Sequence, residues 1–203
     1  DPDTDDGGRG DGDEVFVDAT NPLDPLDDLP PMRAVVVDAT TDGVTVFNMV
    51  SDTVLGTIPS QIPYLGTQCT IAADGIAIHT SYTSQLRLYD LTLDPPASAT
   101  GTNPIPISNY GTDVALSADS RFAVVCDGSL NDPISVVDLE LRAQVDTQDV
   151  PLDTACNAVD VCRDGTVLIA SFAGDGLSRS TLSASGELSD TGDSVVVQAP
   201  NNV

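Results

Sequence analysis

The sequence predicts an all-β fold of about four repeats of about 45 residues, each with four short antiparallel strands. Three observations predict it. A small-apolar, polar, Asp, Gly-or-Ser turn returns at a fixed interval of about 45 residues, as IAADG ending at Gly75, LSADS ending at Ser120 and VCRDG ending at Gly165. Between the turns, short apolar or alternating runs are bounded by Gly, Pro, Asp and Asn, and none holds a 3.6-residue period. The acids are nearly all Asp, with Glu only at Glu14, Glu140 and Glu187, and all seven bases are Arg. Turn formers thus stand where a helical chain carries Glu and Lys.

Residues 1–32 read differently from the rest. DPDTDDGGRGDGDE and NPLDPLDDLPP are rich in Asp, Gly and Pro, which marks an extended tail or linker. One apolar alternation, Val15-Phe16-Val17, interrupts it and fits a strand lent to a sheet elsewhere. Aligned on the turns, the remainder divides into units 33–75, 76–120, 121–165 and 166–203. Each unit opens on a strongly apolar run (AVVVD, IAIHT, FAVVC, VLIAS), expected as an inner strand covered on both faces. A period-2 run ending in a polar residue follows (VTVFN, LRLYD, ISVVD), then a weaker run and a Pro- or Gly-bearing loop. The last run leads into the next turn.

A repeat of this size with four antiparallel strands is the size of a β-propeller blade, so the expected architecture is a propeller or a fragment of one. Val203 falls inside the last strand of the fourth unit, so an open sheet edge is expected to be covered by Val15–Val17 or by another copy. The repeats resemble the YVTN-type β-propeller family, whose blades run from an apolar strand through V-x-V-[IV]-D and a Pro/Gly loop into S-P-D-G. Asn48, Asp90 and Asp138 stand at the residue ending the second strand, and Asp74-Gly75 and Asp164-Gly165 at the turn. Ser120 departs from Gly, and Ala73, Ala118 and Arg163 stand where the family often carries Pro. The resemblance covers 33–203 and implies architecture. Propellers of this kind include lactonases and lyases, so it also implies a propeller enzyme as an alternative to a binding or structural module.

Charge narrows the partners. A formal net charge of −25 repels nucleic acid and anionic membranes and makes cations the natural counter-species. A halophilic source would explain the same acidity through solubility. No apolar run is long enough for a membrane-spanning helix. The four cysteines fit an oxidising compartment, and the expected setting is extracellular, at the cell surface or periplasmic.

The candidate sites follow from residue chemistry. In the tail, Asp1, Asp3 and Asp5 alternate ahead of Gly7, the pattern by which acidic loops present oxygens to calcium, and Asp11, Asp13 and Glu14 could complete a looser site. Gly at the sixth position and an acid at the twelfth are both missing, so a solvated acidic tether is the competing reading. Arg9-Gly10-Asp11 spells an adhesion tripeptide that a Gly- and Asp-rich tail produces by chance. His79, the one histidine, lies in IAIHT with no cluster of partners for catalysis or zinc, and reads as a hydrogen-bonded core residue. Cys126 and Cys156 are expected to pair, because a four-stranded meander brings the end of one run and the loop before another to the same end of the blade. Cys69 and Cys162 are expected as buried thiols in outer strands. The expected function is a non-enzymatic surface module with an adhesive, filament-forming or binding role, self-associating through sheet edges. A calcium-dependent assembly module is the alternative.

Overall fold

The computed structural model describes residues 33–38, 43–49, 51–59, 66–81, 83–93, 95–108, 110–127, 134–148, 156–171 and 176–196. The tail aspartates Asp1, Asp3, Asp5, Asp11 and Asp13, and the Val15–Val17 run, lie outside the described residues. All described regular structure is β, in four antiparallel sheets. The first has three strands in the order β1 (Arg33–Asp38), β2 (Gly43–Asn48), β3 (Thr53–Pro59). The second begins with β4 (Gly66–Ile71), β5 (Ile76–Ser81) and β6 (Gln85–Asp90). Its outer strand comes in two pieces, β7 (Ala97–Ser98) and β8 (Ile105–Pro106), both paired to β6. The third contains β9 (Gly111–Leu116), β10 (Phe122–Asp127), β11 (Ile134–Asp138) and β12 (Ala143–Gln148). The fourth contains β13 (Cys156–Val161), β14 (Thr166–Ser171), β15 (Gly176–Leu182) and β16 (Leu188–Val196).

First strands of neighbouring sheets lie side by side, β4 against β9 and β9 against β13, with β1 against β4. The sheets stack face to face from that line, as propeller blades do. The repeat period read from the sequence holds, but its phase shifts. The recurrent Asp turns at 72–75, 117–120 and 162–165 join the first and second strands of one sheet, so they do not separate sheets. The sheets span 33–59, 66–106, 111–148 and 156–196, and the drawn boundaries at 75, 120 and 165 cut hairpins in half. The physical reason is that a tight Asp-Gly or Asp-Ser turn closes a hairpin between antiparallel neighbours within one sheet. The apolar runs AVVVD, IAIHT and FAVVC are therefore second strands (or, in the first sheet, the strand that begins it), and the innermost position in the later sheets belongs to β4, β9 and β13.

The apolar runs nonetheless do what their composition demands. Along β10, Ala123 and Val125 face the second sheet while Phe122, Val124 and Cys126 face the fourth. A strand covered on both faces has no solvent side to keep polar. Three apolar layers result. Val44, Val46, Ile58, Ala77, Tyr89 and Leu91 lie between the first and second sheets. Ile78, Leu86, Leu88, Ile105, Val114 and Val125 lie between the second and third. Phe122, Val124, Ile134, Val136, Val167 and Ile169 lie between the third and fourth.

Polar clasps cross the same layers. Asp113 Oδ2 on β9 accepts from the Val159 N–H on β13 at 2.9 Å, and Asp146 Oδ2 on β12 accepts from the Leu188 N–H on β16 at 2.7 Å. The break between β7 and β8 is filled by a side chain. Asn103 Nδ2 donates to the Leu88 carbonyl at 2.7 Å and its Oδ1 accepts from the Leu88 N–H at 3.1 Å, so one carboxamide takes the place of a strand residue. Without it, buried Leu88 would leave a backbone N–H unpaired.

One glycine couples two sheets. Gly186, in the β15–β16 turn, has φ 83°, and a Cβ there would come within 2.6 Å of Cε1 on the buried Phe122 ring of β10. We expect Gly186→Ala to lose about 2 kcal/mol in chemical denaturation, from left-handed strain plus the ring displaced. Gly56→Ala, at a glycine without a left-handed φ where a Cβ meets nothing within 4 Å, is the unstrained control and loses well under half of that.

Candidate functional site

The face that carries the recurrent Asp turns also holds three clefts, one at each junction between consecutive sheets. The cleft between the first and second sheets, about 420 Å³, is lined by Arg33, Ile71, Asp74, Leu91 and Thr92 among others. The cleft between the second and third, about 330 Å³, is lined by Asp74, Ile76, Leu88, Arg121, Glu140 and Arg142 among others. The cleft between the third and fourth, about 280 Å³, includes Asp119, Phe122, Arg163, Asp164 and Leu182. Ala72 to Asp74 border two clefts and Asp119 borders two, so clefts and turns alternate along one serrated face.

The local sequence builds this face directly. Asp74, Asp119 and Asp164 each accept through Oδ1 from the backbone N–H two residues on, at 3.1, 3.1 and 3.0 Å. Such bonds mimic a backbone turn and hold the carboxylate in place. Hydrogen bonding from Ser117 and then the Arg121 N–H holds the Asp119 carboxyl below the usual carboxylate range, and bonds from Thr166 do the same for Asp164. Gly75 and Gly165 take φ 82° and 84° at the turn. Ser120 holds φ 58° at the same place without being glycine. Its reason is across the cleft: Ser120 Oγ accepts from the Ala73 N–H of the neighbouring turn at 3.2 Å. The bond offsets the left-handed strain. Ser120→Gly is therefore expected to change unfolding free energy by less than about 0.5 kcal/mol. Ser120→Ala keeps the strain, loses the bond and costs about 1 kcal/mol.

The residues ending the second periodic run cap the neighbouring turns. Asn48 Oδ1 accepts from Ser51 N–H, Asp90 Oδ1 from Thr92 N–H, and Asp138 Oδ1 from the N–H groups of Glu140 and Leu141. Asp138, 1% exposed, also receives Arg121 Nη2 at 3.0 Å and Nε at 3.3 Å on its other oxygen. Arg121 lies over the Phe122 ring at 4.7 Å and approaches the exposed Glu140 at 3.7 Å. Its guanidinium is thus fixed in the wall of the middle cleft, beside Arg142 and the carboxylates of Asp74 and Glu140.

The cysteine pairing has a different layout from the one expected. Cys126 of β10 and Cys156 at the start of β13 form a disulfide, with Cα atoms 5.5 Å apart. The two cysteines belong to neighbouring sheets, so the bridge staples sheet to sheet and does not close one blade on itself. Thr112 Oγ1 bonds the carbonyls of both Cys126 and Cys156 at 3.2 Å, which fixes the same junction. Cys69 and Cys162 are free and half-buried, and they lie on or just after first strands, not outer ones. His79 also departs from its expectation. It is 2% exposed, and neither ring nitrogen has a hydrogen-bond partner among the described residues. The sequence shows that His79 lies in an apolar run, but nothing in it marks the polar neighbours that the register supplies from β4 and β6. No group of three or more His, Cys, Asp or Glu side chains among the described residues could hold a metal ion, and no described helix is long and apolar enough to cross a membrane.

No family model matches the sequence, and no curated protein matches it. Solved structures do. A functionally unknown protein from Desulfotomaculum acetoxidans DSM 771 superposes with TM-score 0.70 at 19% identity, over 82% of this chain and 52% of that one. Dihydro-heme d1 dehydrogenase NirN gives 0.63 at 18% identity, over 81% and 35%. Kuenenia stuttgartiensis hydrazine synthase gives 0.62 at 14% identity, over 77% and 45%. The chain therefore spans about half or less of the length of these relatives. In all, 1112 solved chains match, a breadth that carries architecture and no single activity. The described residues form four consecutive blade-like sheets, the fold of a β-propeller or of a fragment of one.

Proposed function

We propose that the chain is a non-enzymatic propeller module of the YVTN type that binds a basic protein partner on its serrated turn face, in an oxidising compartment outside the cytoplasm. The observation that carries this reading is the row of three clefts at successive sheet junctions, edged by Asp74, Asp119 and Asp164. Each carboxylate is held by its own turn, so little ordering remains to be done on binding. The apolar floor of the middle cleft, Ile76, Leu88 and Leu139, suits the aliphatic stems of Lys or Arg, and the carboxylates suit their heads. The net charge of −25 steers such a partner in. The Cys126–Cys156 bridge favours an oxidising compartment.

The test is titration with an arginine nonapeptide at low and high salt, against the variant Asp74→Lys/Glu140→Lys. Both substituted residues are exposed at the mouth of the middle cleft. Affinity at low salt is expected to fall at least tenfold in the variant. An unchanged affinity would mean that general acidity, and not this face, attracts the peptide. A second reading is self-association through sheet edges, which the place of β3 at the end of the first sheet, with no strand paired on its far side among the described residues, favours. A single monomeric mass at every concentration in light scattering would count against it. Calcium binding by Asp1, Asp3, Asp5, Asp11 and Asp13 is tested by calorimetry with and without residues 1–14; no heat in either sinks it.

A further inference from the structure

We propose that Cys69 and His79 form a binding site for a soft monovalent metal ion of the Cu(I) class, in the layer between the first and second sheets. In the β4–β5 ladder Cys69 lies directly opposite His79, and in the β5–β6 ladder His79 lies opposite Arg87. Directly opposed side chains in an antiparallel pair share one face, with Cβ atoms roughly 5 Å apart. That face packs on the first sheet, since Ala77 and Tyr89 on it join Val44, Val46 and Val35 in one apolar layer.

The layer contains polar groups that find no hydrogen-bond partner among the described residues. Both nitrogens of His79 lack partners, as do the hydroxyl of Tyr89, whose ring centroid is 6.2 Å from that of His79, and Nε of Arg87. Residues His79 and Tyr89 are 2% and 1% exposed, so solvent does not substitute. Cys69 is a free thiol whose Sγ makes, among the described residues, a long 3.9 Å contact to the Val35 carbonyl of β1, and its half-buried position leaves a way in. Burial keeps the imidazole neutral, with its lone pair available.

Ligand type and charge select the ion. One thiolate and one imidazole on opposing strands suit a soft, low-coordinate ion, whereas structural zinc takes four ligands. On binding, the Cys69 thiol gives its proton to solvent, S–metal and N–metal bonds form, the ion sheds solvent ligands, and no electron moves. The thiolate–M(I)–imidazole unit is neutral. The same unit with a divalent ion would carry a net positive charge against the Arg87 guanidinium in a water-poor layer, an arrangement that burial disfavours.

Silver(I), redox-stable and of the same charge and softness, is the probe. The background is Cys162→Ser, which removes the other free thiol and keeps the disulfide. His79 is the one histidine, so its imidazole proton resonances are unambiguous. One equivalent of Ag(I) is expected to shift them, and both Cys69→Ser and His79→Phe are expected to weaken binding at least tenfold. Unshifted imidazole resonances at saturation, read on the parent protein without any further substitution, overturn the proposal. So does a His79→Phe protein that binds Ag(I) as tightly as its parent, because the thiol alone would then be the ligand. One equivalent of Zn(II) is expected to leave the imidazole resonances in place; an equal shift overturns the assignment to monovalent ions.

Discussion

Replacing Cys126 and Cys156 together by Ala is expected to lower the unfolding free energy by ~3–4 kcal/mol. The bridge closes a loop with a sequence separation of 30. Cross-linking a loop of that size removes denatured-state entropy worth about that much. Both cysteines are buried in the layer between the third and fourth sheets, so the smaller side chains add a cavity cost and do not relieve one. For a domain of this length the melting temperature should fall by roughly 10 °C. Reductant added to the native protein should give most of the same loss, because it opens the bridge without creating the cavity. Hydrogen exchange should localise the change to β9, β10, β13 and β14. An unchanged denaturation midpoint in the double variant would show that Thr112 and the Asp113 clasp hold the junction alone.

The second large effect is acid destabilisation through His79. Burial, and then the positive charge of Arg87, push its imidazole from the ordinary 6.5 down to about 4. The unfolded chain therefore takes up a proton as pH falls below 6.5, while the folded chain stays neutral until about 4. Over that window the unfolded state binds more protons, so stability falls as pH falls, and the loss is complete below about 4. A shift of this size corresponds to about 3 kcal/mol. Above pH 6.5 the group contributes no slope. Carboxylates titrate at the lower end of the window, so the measurement is a difference: denaturant unfolding of the native protein and of His79→Phe at pH 4 to 7.5. The gap between the two curves should change by about 3 kcal/mol across the window in favour of the native protein at high pH. Parallel curves would mean that His79 finds a partner as soon as it is charged.

The sequence made the period legible because one turn chemistry recurs. Asp74, Asp119 and Asp164 each bond two residues ahead, and this leaves a mark at a fixed spacing whatever the strands contain. The phase was not legible, because an Asp-Gly turn looks the same within a sheet as between two. Only hydrogen-bond pairing separates the cases, and pairing is set by contacts distant in sequence. The same limit applied to the cysteines. Residues 126 and 156 were identifiable as a pair, but their assignment to one sheet or two depended on the phase. Ser120 looked like a lapse from glycine, and its cross-cleft bond to Ala73 lies 47 positions away in the chain. His79 was recognisable as a strand residue. Its partners Cys69 and Arg87 come from the register of two ladders, which no local pattern encodes.

The bridge between the third and fourth sheets also governs how the chain bears load. Pull on the two ends, and tension reaching Cys126 passes through the sulfurs to Cys156, bypassing the segment between them. The strands β11 and β12 sit in that shielded segment, so they feel no direct force while the bond survives. On the order of 100 Å of contour stays hidden from extension, by the reach of about 30 extended residues. The first two sheets have no such bypass among the described residues and should peel in sequence. Under tension the shielding is therefore local: β11 and β12 of the third sheet stay hidden while the fourth sheet, which lies beyond Cys156, bears load as the first two do, and a reducing environment would erase that difference.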